Sequence, residues 1–439
     1  MASDGKWFVM LLLAAIGSPL AAQDHVGDGP TVQSDLESAA MLLYQGRPQE
    51  AMTVLERVER QEPENPWMWY YRGTAHLQLG SPYRAMECYD RAADILASLG
   101  DPDPDLADRI RRQRAQARRH VFGLSGHVGL AYDTNVSFLG DAGTLDILAG
   151  RPDGKFASGF QVDFAPVADE RNVIAAGVRF GHSWHFSVTE FDYQDYGAYL
   201  RYVRRLGDSW EAEVRYDYDV NCLGRDGFLS NHAVTPSVTY RWRSADAAFR
   251  PRDTRVYYRF EAQDFLFATE PEYDRDGFAH GVGVEQRFLF RPVAGRNWVW
   301  EISAGYGFAS FATEGTQYDR FTHDFQIGMG VPLVNPVDPD KYLILPDKEL
   351  VFRFNVDWQI EDYWNRNLED RDRDGRSDLL TTYSFVVSQT LMCDPDRGDL
   401  VLHAIIHWTD AESNVTTRDA LSPFTYDKVI YGIQLAWSW

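Results

Sequence analysis

The chain has 439 residues, with 65 acidic and 43 basic side chains and a formal net charge of −22 at pH 7. This charge excludes a nucleic-acid-binding role, because phosphates attract Lys and Arg. Hydrophobic residues make up 44% of the chain and aromatic residues 14%. No apolar run of about 18 residues follows the N-terminal region, so the sequence predicts no transmembrane helix there.

The first 22 residues have the pattern of a cleaved secretory signal. Lys6 precedes an apolar run over residues 7–16, and small residues ending at Ala22 provide a cleavage site. The run is too short to span a bilayer. The sequence therefore predicts a signal peptide over 1–22 and a linker over 23–34.

Residues 35–121 are predicted to form a short helical domain. Its apolar residues recur at helical spacing, and an offset of 34 residues aligns Gly46 with Gly80 and Ala51 with Ala85. This period is similar to the tetratricopeptide repeat, a helix–turn–helix unit. The last helix is rich in arginine, a pattern typical of a solvated face or of a helix that docks on acidic turns or anionic headgroups.

From residue 123 to residue 439 the hydrophobic period is that of a β-strand. Between residues 210 and 220, large apolar residues alternate with five charged ones. A packed sandwich core would exclude these charges, whereas a water-filled lumen accepts them. The pattern predicts an antiparallel transmembrane β-barrel of about 14 strands, an even number. The predicted strands lie near 124–137, 159–168, 172–186, 194–206, 210–220, 230–243, 254–266, 278–290, 297–311, 319–333, 349–361, 378–392, 399–409 and 426–439.

The fold class predicted is therefore α plus membrane β. With the helical domain in the periplasm, the short connections between strands face inward to the periplasm and the long ones face outward. Charged residues on the inward face have two interpretations: ion pairs that stabilise the wall, or the lining of a path for a polar client. The predicted lumen-facing residues are Glu211, Glu213, Arg215, Asp217, Asp219, Arg259, Glu261, Glu301, Arg353 and Asp357.

The closing strand carries its large apolar side chains on one face, with Tyr431, Trp437 and Trp439 among them. Aromatic rings at the end of an apolar face suit the lipid–water boundary. By resemblance to other such barrels, this terminus is also predicted to be the signal that the barrel assembly machinery recognises. Outer-membrane lipids and that machinery are therefore predicted partners.

Short motifs accompany this architecture. Tyr132-Asp133-Thr-Asn135-Val lies on the first strand, and Ser413-Asn-Val with Tyr426-Asp-Lys precedes the last one. Together with the signal, the repeats and the barrel, they resemble the surface lipoprotein assembly modulator (Slam) family. The resemblance implies translocation of a protein client, often a lipoprotein, to or across the outer membrane. It implies that the helical domain gathers a client or a partner in the periplasm.

Two alternatives stay open. A more distant resemblance is to exopolysaccharide export porins, so the barrel could export a polysaccharide or a solute. The barrel could also be only the anchor of a periplasmic scaffold. An enzyme is not predicted, because no Gly-x-Ser-x-Gly, His-Glu-x-x-His or Cys-x-x-Cys pattern occurs.

Asp-rich and Arg-Asp-Gly segments fall in the predicted outward loops. Asp370, Asp372, Asp374 and Asp378 have the spacing of a Ca²⁺ loop, although the acidic residue expected at position twelve is Thr381. Calcium is the one cofactor considered, with a solvated loop as the alternative. Arg-Asp-Gly occurs three times, and two copies share a longer frame that includes Phe and His232 or His280. Asp-Gly is typical of tight turns.

Overall fold

The computed structural model describes residues 31–136, 151–207, 209–224, 226–242, 247–266, 274–292, 299–315, 318–333, 350–364, 376–394, 397–414 and 425–439. The predicted signal peptide lies outside these residues. None of the helices within them is long and apolar enough to cross a membrane.

Five helices precede the strands. Four begin with proline, whose fixed φ suits the first turn and whose missing N–H is not needed there. Asn65 and Asp103 cap two of them by accepting hydrogen bonds from the first backbone N–H groups. The helices are α1 Val32–Tyr44, α2 Pro48–Gln61, α3 Pro66–Gln78, α4 Pro82–Ser98 and α5 Pro104–Arg119.

The first two helical hairpins repeat each other at the predicted offset of 34 residues. Gly46 and Gly80 end α1 and α3 with φ of +72° and +78°, which glycine adopts without strain. On α2 and α4, the equivalent residues Ala51 and Ala85 are both fully buried. α1 begins at Val32, inside the predicted linker, because Thr31 caps its first turn.

Fourteen antiparallel strands close into one barrel, which confirms the predicted fold class and strand number. Each strand pairs with its neighbour in sequence, and β1 pairs with β14. The strands are β1 Phe122–Asp133, β2 Asp153–Ala168, β3 Asn172–His185, β4 Tyr193–Leu206, β5 Trp210–Leu223, β6 Asp226–Arg241, β7 Phe249–Phe265, β8 Gly277–Phe290, β9 Trp300–Thr313, β10 Arg320–Pro332, β11 Leu350–Tyr363, β12 Ser377–Asp394, β13 Gly398–Ser413 and β14 Tyr426–Ser438.

The predicted strand positions are correct, and their ends differ by a few residues. The largest difference is at β2, which begins at Asp153 instead of 159 because residues 153–158 pair with the far half of β1. Side-chain alternation along 153–158 is weak, with Gly154, Ala157 and Ser158 among them. Pairing across strands, and not local pattern, therefore decides where β2 begins.

The two ends of the barrel differ. At one end, here called the turn end, lie the entry to β1 and connections such as β2–β3 and β4–β5. The helical domain contacts this end: Arg119 on α5 pairs with Asp399 on β13 (Nη1–Oδ2 3.1 Å), and Tyr83 on α4 donates to the Ala165 carbonyl (2.8 Å). The opposite end, here called the loop end, carries the long connections β1–β2, β11–β12 and β13–β14.

Candidate functional site: the barrel interior and its closing seam

Paired charges cover the inner wall of β3, β4 and β5. Arg179 on β3 contacts Asp195 on β4 (Nε–Oδ2 3.1 Å) and Asp219 on β5 (Nη2–Oδ1 2.6 Å). Arg201 on β4 lies 3.9 Å from Glu213 on β5. The ion pairs join neighbouring strands, so the charges compensate each other along the wall and not across the lumen.

The same pattern continues on both sides of this wall. Arg215 and Asp217 pair along β5 (2.7 Å), and Arg259 and Glu261 pair along β7 (2.8 Å). Asn231 on β6 donates a further hydrogen bond to Glu261 (2.9 Å). These short contacts alternate with outward aromatic and aliphatic residues on the same strands.

Acidic residues near the turn end also have cationic partners. Glu211 pairs with Arg241 (Oε2–Nη2 2.7 Å), and Glu301 pairs with Arg252 (Oε2–Nη1 2.8 Å). Both arginines lie next to the turn-end connections, at the end of β6 and near the start of β7.

The last two predicted lumen residues lie on β11 and have neutral partners. Arg353 donates to the Ser388 hydroxyl (Nη1–Oγ 3.2 Å), and Asp357 accepts from the Gln326 amide. All ten predicted residues thus lie on the strand face opposite the exposed apolar side chains, and each has a hydrogen-bonding or ionic partner. Whether they also line a path for a client stays a prediction.

The Tyr132–Asn135 motif lies at the loop end of the seam between β1 and β14. Asp133 is 1% exposed, and its carboxylate lies 3.0 Å from the Lys428 ammonium, which is 4% exposed. Asp133 also accepts the Asn135 backbone N–H (3.0 Å). Buried charges are tolerated when they are paired and hydrogen-bonded in this way.

A second lysine and the outward tyrosines extend this contact. Lys155 on β2 lies 3.5 Å from the Asp133 carboxylate. On the outer face, Tyr132 and Tyr431 pack with ring centroids 5.5 Å apart. Beyond the last strand pair, Val429 donates to the Thr134 hydroxyl (2.8 Å). The motif therefore fastens the seam on both faces and past the end of the ladder.

The turn end of the seam is fastened by the last residue of the chain. Trp439 exchanges two backbone hydrogen bonds with Leu124 on β1 (2.8 and 2.7 Å). Its ring lies under the Arg118 guanidinium, 4.1 Å from ring centroid to Cζ. The Trp437 indole donates to the Arg397 carbonyl (2.8 Å). The predicted terminal aromatics thus join β14 to β1, to α5 and to the β12–β13 turn.

Sequence reasoning missed three residues of this site. Lys428 was placed on the polar face of the last strand, but its pairing with Asp133 depends on a closure that local pattern does not contain. Lys155 lies in the part of β2 that was not predicted as strand. Arg119 was one of several arginines on α5, and only the tertiary structure singles it out by its contact with Asp399.

The predicted calcium loop is only partly described. Asp370, Asp372 and Asp374 lie outside the described residues, so calcium binding stays a prediction. Asp378 begins β12, where it accepts hydrogen bonds from Arg376 (Nε–Oδ2 2.8 Å) and from the Ser413 hydroxyl (2.6 Å).

Cys88 lies in the core of the helical domain and not at a reactive site. Burial raises the pKa of its thiol to about 11. A thiol that stays protonated is a poor nucleophile and a poor metal ligand. Cys88 therefore acts as a small hydrophobic residue between α3 and α4.

These features define a class: a closed fourteen-stranded antiparallel barrel with paired charges inside and a helical domain at its turn end. No protein-family model and no curated protein sequence matches the chain. The resemblance to Slam-like proteins therefore stays a prediction.

Several solved barrels have a low similarity to this chain. A bacterial polysaccharide outer membrane secretin has 9% identity and a TM-score of 0.35, over 72% of this chain and 98% of its own. CdiB from Acinetobacter baumannii has 9% identity and a TM-score of 0.35, over the full length of both chains. An anion-selective porin from Comamonas acidovorans has 6% identity and a TM-score of 0.35, over 72% and 98%. Scores this low carry no conclusion about the present chain.

Proposed function

We propose that this chain is an outer-membrane translocation or export component. Its barrel would pass or display a client at the cell surface, and its periplasmic helices would bind that client or a partner. The observation that carries the proposal is the outer face of the closed barrel, which is apolar in the middle and aromatic at both ends.

The turn end of this outer face carries a ring of aromatic residues at the first or last positions of the strands. Trp210 packs on Tyr240 (ring centroids 4.7 Å apart), and Phe290 packs on Trp300 (5.6 Å). Aromatic rings at this level suit a lipid–water interface. The members of the ring are Phe122, Trp210, Tyr240, Phe249, Phe290, Trp300, Trp437 and Trp439.

Aliphatic residues cover the middle of the outer face, and a second set of aromatics follows at the loop end. The aliphatic side chains are strongly exposed, for example Ile433 at 58% and Val256 at 56%, which is costly in water and favourable in lipid. At the loop end, Tyr383 stacks on Trp408 (5.1 Å) and Phe321 packs on Trp364 (4.3 Å). An apolar band between two aromatic girdles supports the outer-membrane placement.

The interior supports a protein client over an anionic polymer. A channel for an anionic polysaccharide needs unpaired cations along its lumen. Here the arginines of β3–β7, such as Arg179, Arg215 and Arg259, have carboxylate partners within 3.9 Å. A compensated wall attracts neither sign strongly and therefore suits a polypeptide of mixed charge.

The helical domain supports the gathering role by its position. α5 leads directly into β1 and docks on the β12–β13 turn, so the helices stay next to the turn-end opening. With the signal peptide predicted from the sequence, this end would face the periplasm.

Crosslinking from the helical domain tests the proposal. A photo-crosslinking residue at exposed Tyr44 in cells should capture a periplasmic polypeptide, identified by mass spectrometry. The same residue at exposed Phe186, close to the loop end, is the matched control and should not capture it. Capture of no polypeptide from Tyr44 or other helical positions would contradict the gathering role.

Two further measurements separate the alternatives. Deleting residues 35–121 should abolish surface display of the captured client and leave the barrel inserted. If display continues, the barrel alone transports; if no client depends on the barrel, the scaffold alternative holds. Heat-modifiable gel mobility and resistance to carbonate extraction test the membrane barrel itself.

A further inference from the structure

Three Tyr–His pairs repeat on the outer face of three successive hairpins. In β5–β6 the Tyr216 hydroxyl lies 2.8 Å from His232 Nδ1, and in β7–β8 the Tyr258 hydroxyl lies 2.6 Å from His280 Nδ1. In β9–β10 the Tyr306 hydroxyl lies 3.0 Å from His323 Nδ1. The ring-centroid distances are 6.2, 6.2 and 6.3 Å, and the interplanar angles are 33°, 37° and 32°. This near-identity marks one arrangement used three times.

A second aromatic ring orients each histidine further. His232 lies on Tyr218 (4.7 Å between ring centroids), and His280 lies on Phe260 (5.2 Å). His323 lies on Phe308 in the same way (5.1 Å). Each ring is thus held by a stack and by a hydrogen bond to Nδ1. In the neutral ring, a Tyr O–H that donates to Nδ1 leaves the proton on Nε2, which is then a free donor.

The position of the pairs restricts what this donor can bind. His232 and His280 are exposed and alternate with buried inward residues, so they lie on the face toward lipid. His280 and His323 each lie three residues from the loop end of their strand. At this depth lipid chains offer no acceptor, whereas headgroup phosphate and ester oxygens do.

An exposed cation lies above the pairs. Arg275 stacks on Tyr318 (Cζ to ring centroid 4.3 Å) and on Phe265 (5.9 Å), and it donates to the Tyr318 hydroxyl (3.2 Å). Among the described residues, no carboxylate lies within ion-pair distance of Arg275. The neighbouring Asp276 instead accepts the Phe265 backbone N–H (2.6 Å).

The Arg-Asp-Gly-Phe…His frame on β8 explains how these groups are held. Asp276 fixes the turn, and Gly277 allows close packing, since a Cβ there would lie 2.1 Å from the Ala312 carbonyl oxygen. Arg275 then projects at the rim, and His280 follows on the outward face. The frame therefore does more than form a tight turn.

We propose that the loop-end outer face of β5–β10 binds lipids through the phosphate of an anionic headgroup. Arg275 contacts the phosphate, and the Nε2–H groups of His232, His280 and His323 donate to headgroup oxygens below it. A guanidinium without a carboxylate partner complements the negative charge. The inference relies on the membrane placement proposed above and goes beyond it by naming a lipid contact.

Lipid retention tests this inference. The full chain is folded into vesicles that mix phosphatidylglycerol with galactosyl diacylglycerol, a lipid without phosphate or charge. After mild detergent extraction, mass spectrometry measures the ratio of the two lipids that remain bound. The wild-type chain should enrich phosphatidylglycerol by about fivefold, the factor expected from one net hydrogen bond of about 1 kcal/mol.

The variants assign this enrichment to the named groups. His232→Phe/His280→Phe/His323→Phe and Arg275→Gln should each lower the ratio toward that of the vesicle. His182→Phe is the matched control and should leave the ratio unchanged. It is an outward histidine that packs on Trp184 (3.5 Å) and has no tyrosine hydroxyl partner among the described residues.

Each outcome is decisive. Heat-modifiable mobility shows whether each variant is folded; if the triple histidine variant is not, Tyr216→Phe/Tyr258→Phe/Tyr306→Phe replaces it and should lower the ratio as well. A wild-type chain that inserts without enrichment, or folded variants that keep it, would overturn the lipid contact alone. A wild-type chain that does not insert would overturn the membrane placement and the lipid contact with it.

Discussion

Asp133 is the residue on which the loop end of the seam depends. It lies between two lysines, 3.0 Å from Lys428 and 3.5 Å from Lys155. Asp133→Asn leaves both buried ammonium groups without their counter-charge, so we expect a loss of about 3 kcal/mol in the free energy of unfolding. Urea titration followed by the heat-modifiable gel shift measures this loss.

The pair can be tested against its own double variant. Lys428→Met alone should also destabilise the barrel, because Asp133 then keeps only the more distant Lys155. If Asp133 and Lys428 act together, the double variant should lose less than the sum of the single losses. Additive losses would show that the two residues act independently.

His76 makes the helical domain sensitive to pH. Burial, and then the neighbouring Arg72 and Arg84, lower the pKa of His76, while Glu87 raises it. Because the folded-state pKa is below the unfolded value of about 6.5, the unfolded chain takes up a proton first as the pH falls. The helical domain should therefore lose stability below about pH 6.5 and show no such loss above it.

Limited proteolysis measures this effect in the full chain. Cleavage within residues 31–121 of the wild-type chain should accelerate between pH 7.5 and pH 5.5. His76→Gln, which cannot take up the proton, should be cleaved equally fast relative to its own pH 7.5 rate after correction for protease activity. An equal acceleration in both chains would remove His76 as the cause.

At the scale of elements, β14 contributes contacts that no loop replaces. Removal of Trp437–Trp439 takes away the two Leu124 hydrogen bonds, the Arg118 contact and the bond to the Arg397 carbonyl. We expect this truncation to impair membrane insertion strongly, measured as the carbonate-resistant fraction. A deletion of three residues within 415–424 is the matched control, and equal insertion of both would make the last strand ordinary.

Docking of α5 on the barrel depends on Arg119, which contacts the Asp399 carboxylate and the Asp394 carbonyl (2.7 Å). Arg119→Ala should loosen the helical domain, because two repeats and one helix are fewer than the three repeats usually needed for stability. Faster proteolysis within residues 31–121, with unchanged barrel mobility on gels, is the expected result. Arg112→Ala removes an arginine that contacts only Asp108 on the same helix and is the control.

The strands were largely predictable because their signal is local. A strand with one apolar and one polar face has a period of two, and such a pattern occurs in all fourteen. β2 is the exception: its first residues are small or weakly alternating, and only the pairing of Lys155 with Ala131 and of Asp153 with Asp133 extends it.

At the scale of the whole molecule, the barrel closes without the helices, whereas the helices depend on the barrel. Every strand has two neighbours, so no edge remains that the helical domain would have to cover. Deletion of residues 35–121 should therefore leave heat-modifiable mobility and carbonate resistance intact. A barrel that no longer inserts after this deletion would show that α5 assists closure.

The sequence by itself determined the fold class, the number of strands and the face on which each charged residue lies, because periodicity is encoded within a few consecutive residues. Only the tertiary structure decided which strands meet at the seam, which charges pair and where the helices dock. Val429 bonds to Thr134 across 295 residues of chain, and Asp133 meets Lys428 in the same register. A shift by one residue would turn these side chains to the other face, so the closed ladder and not the local pattern specifies the site.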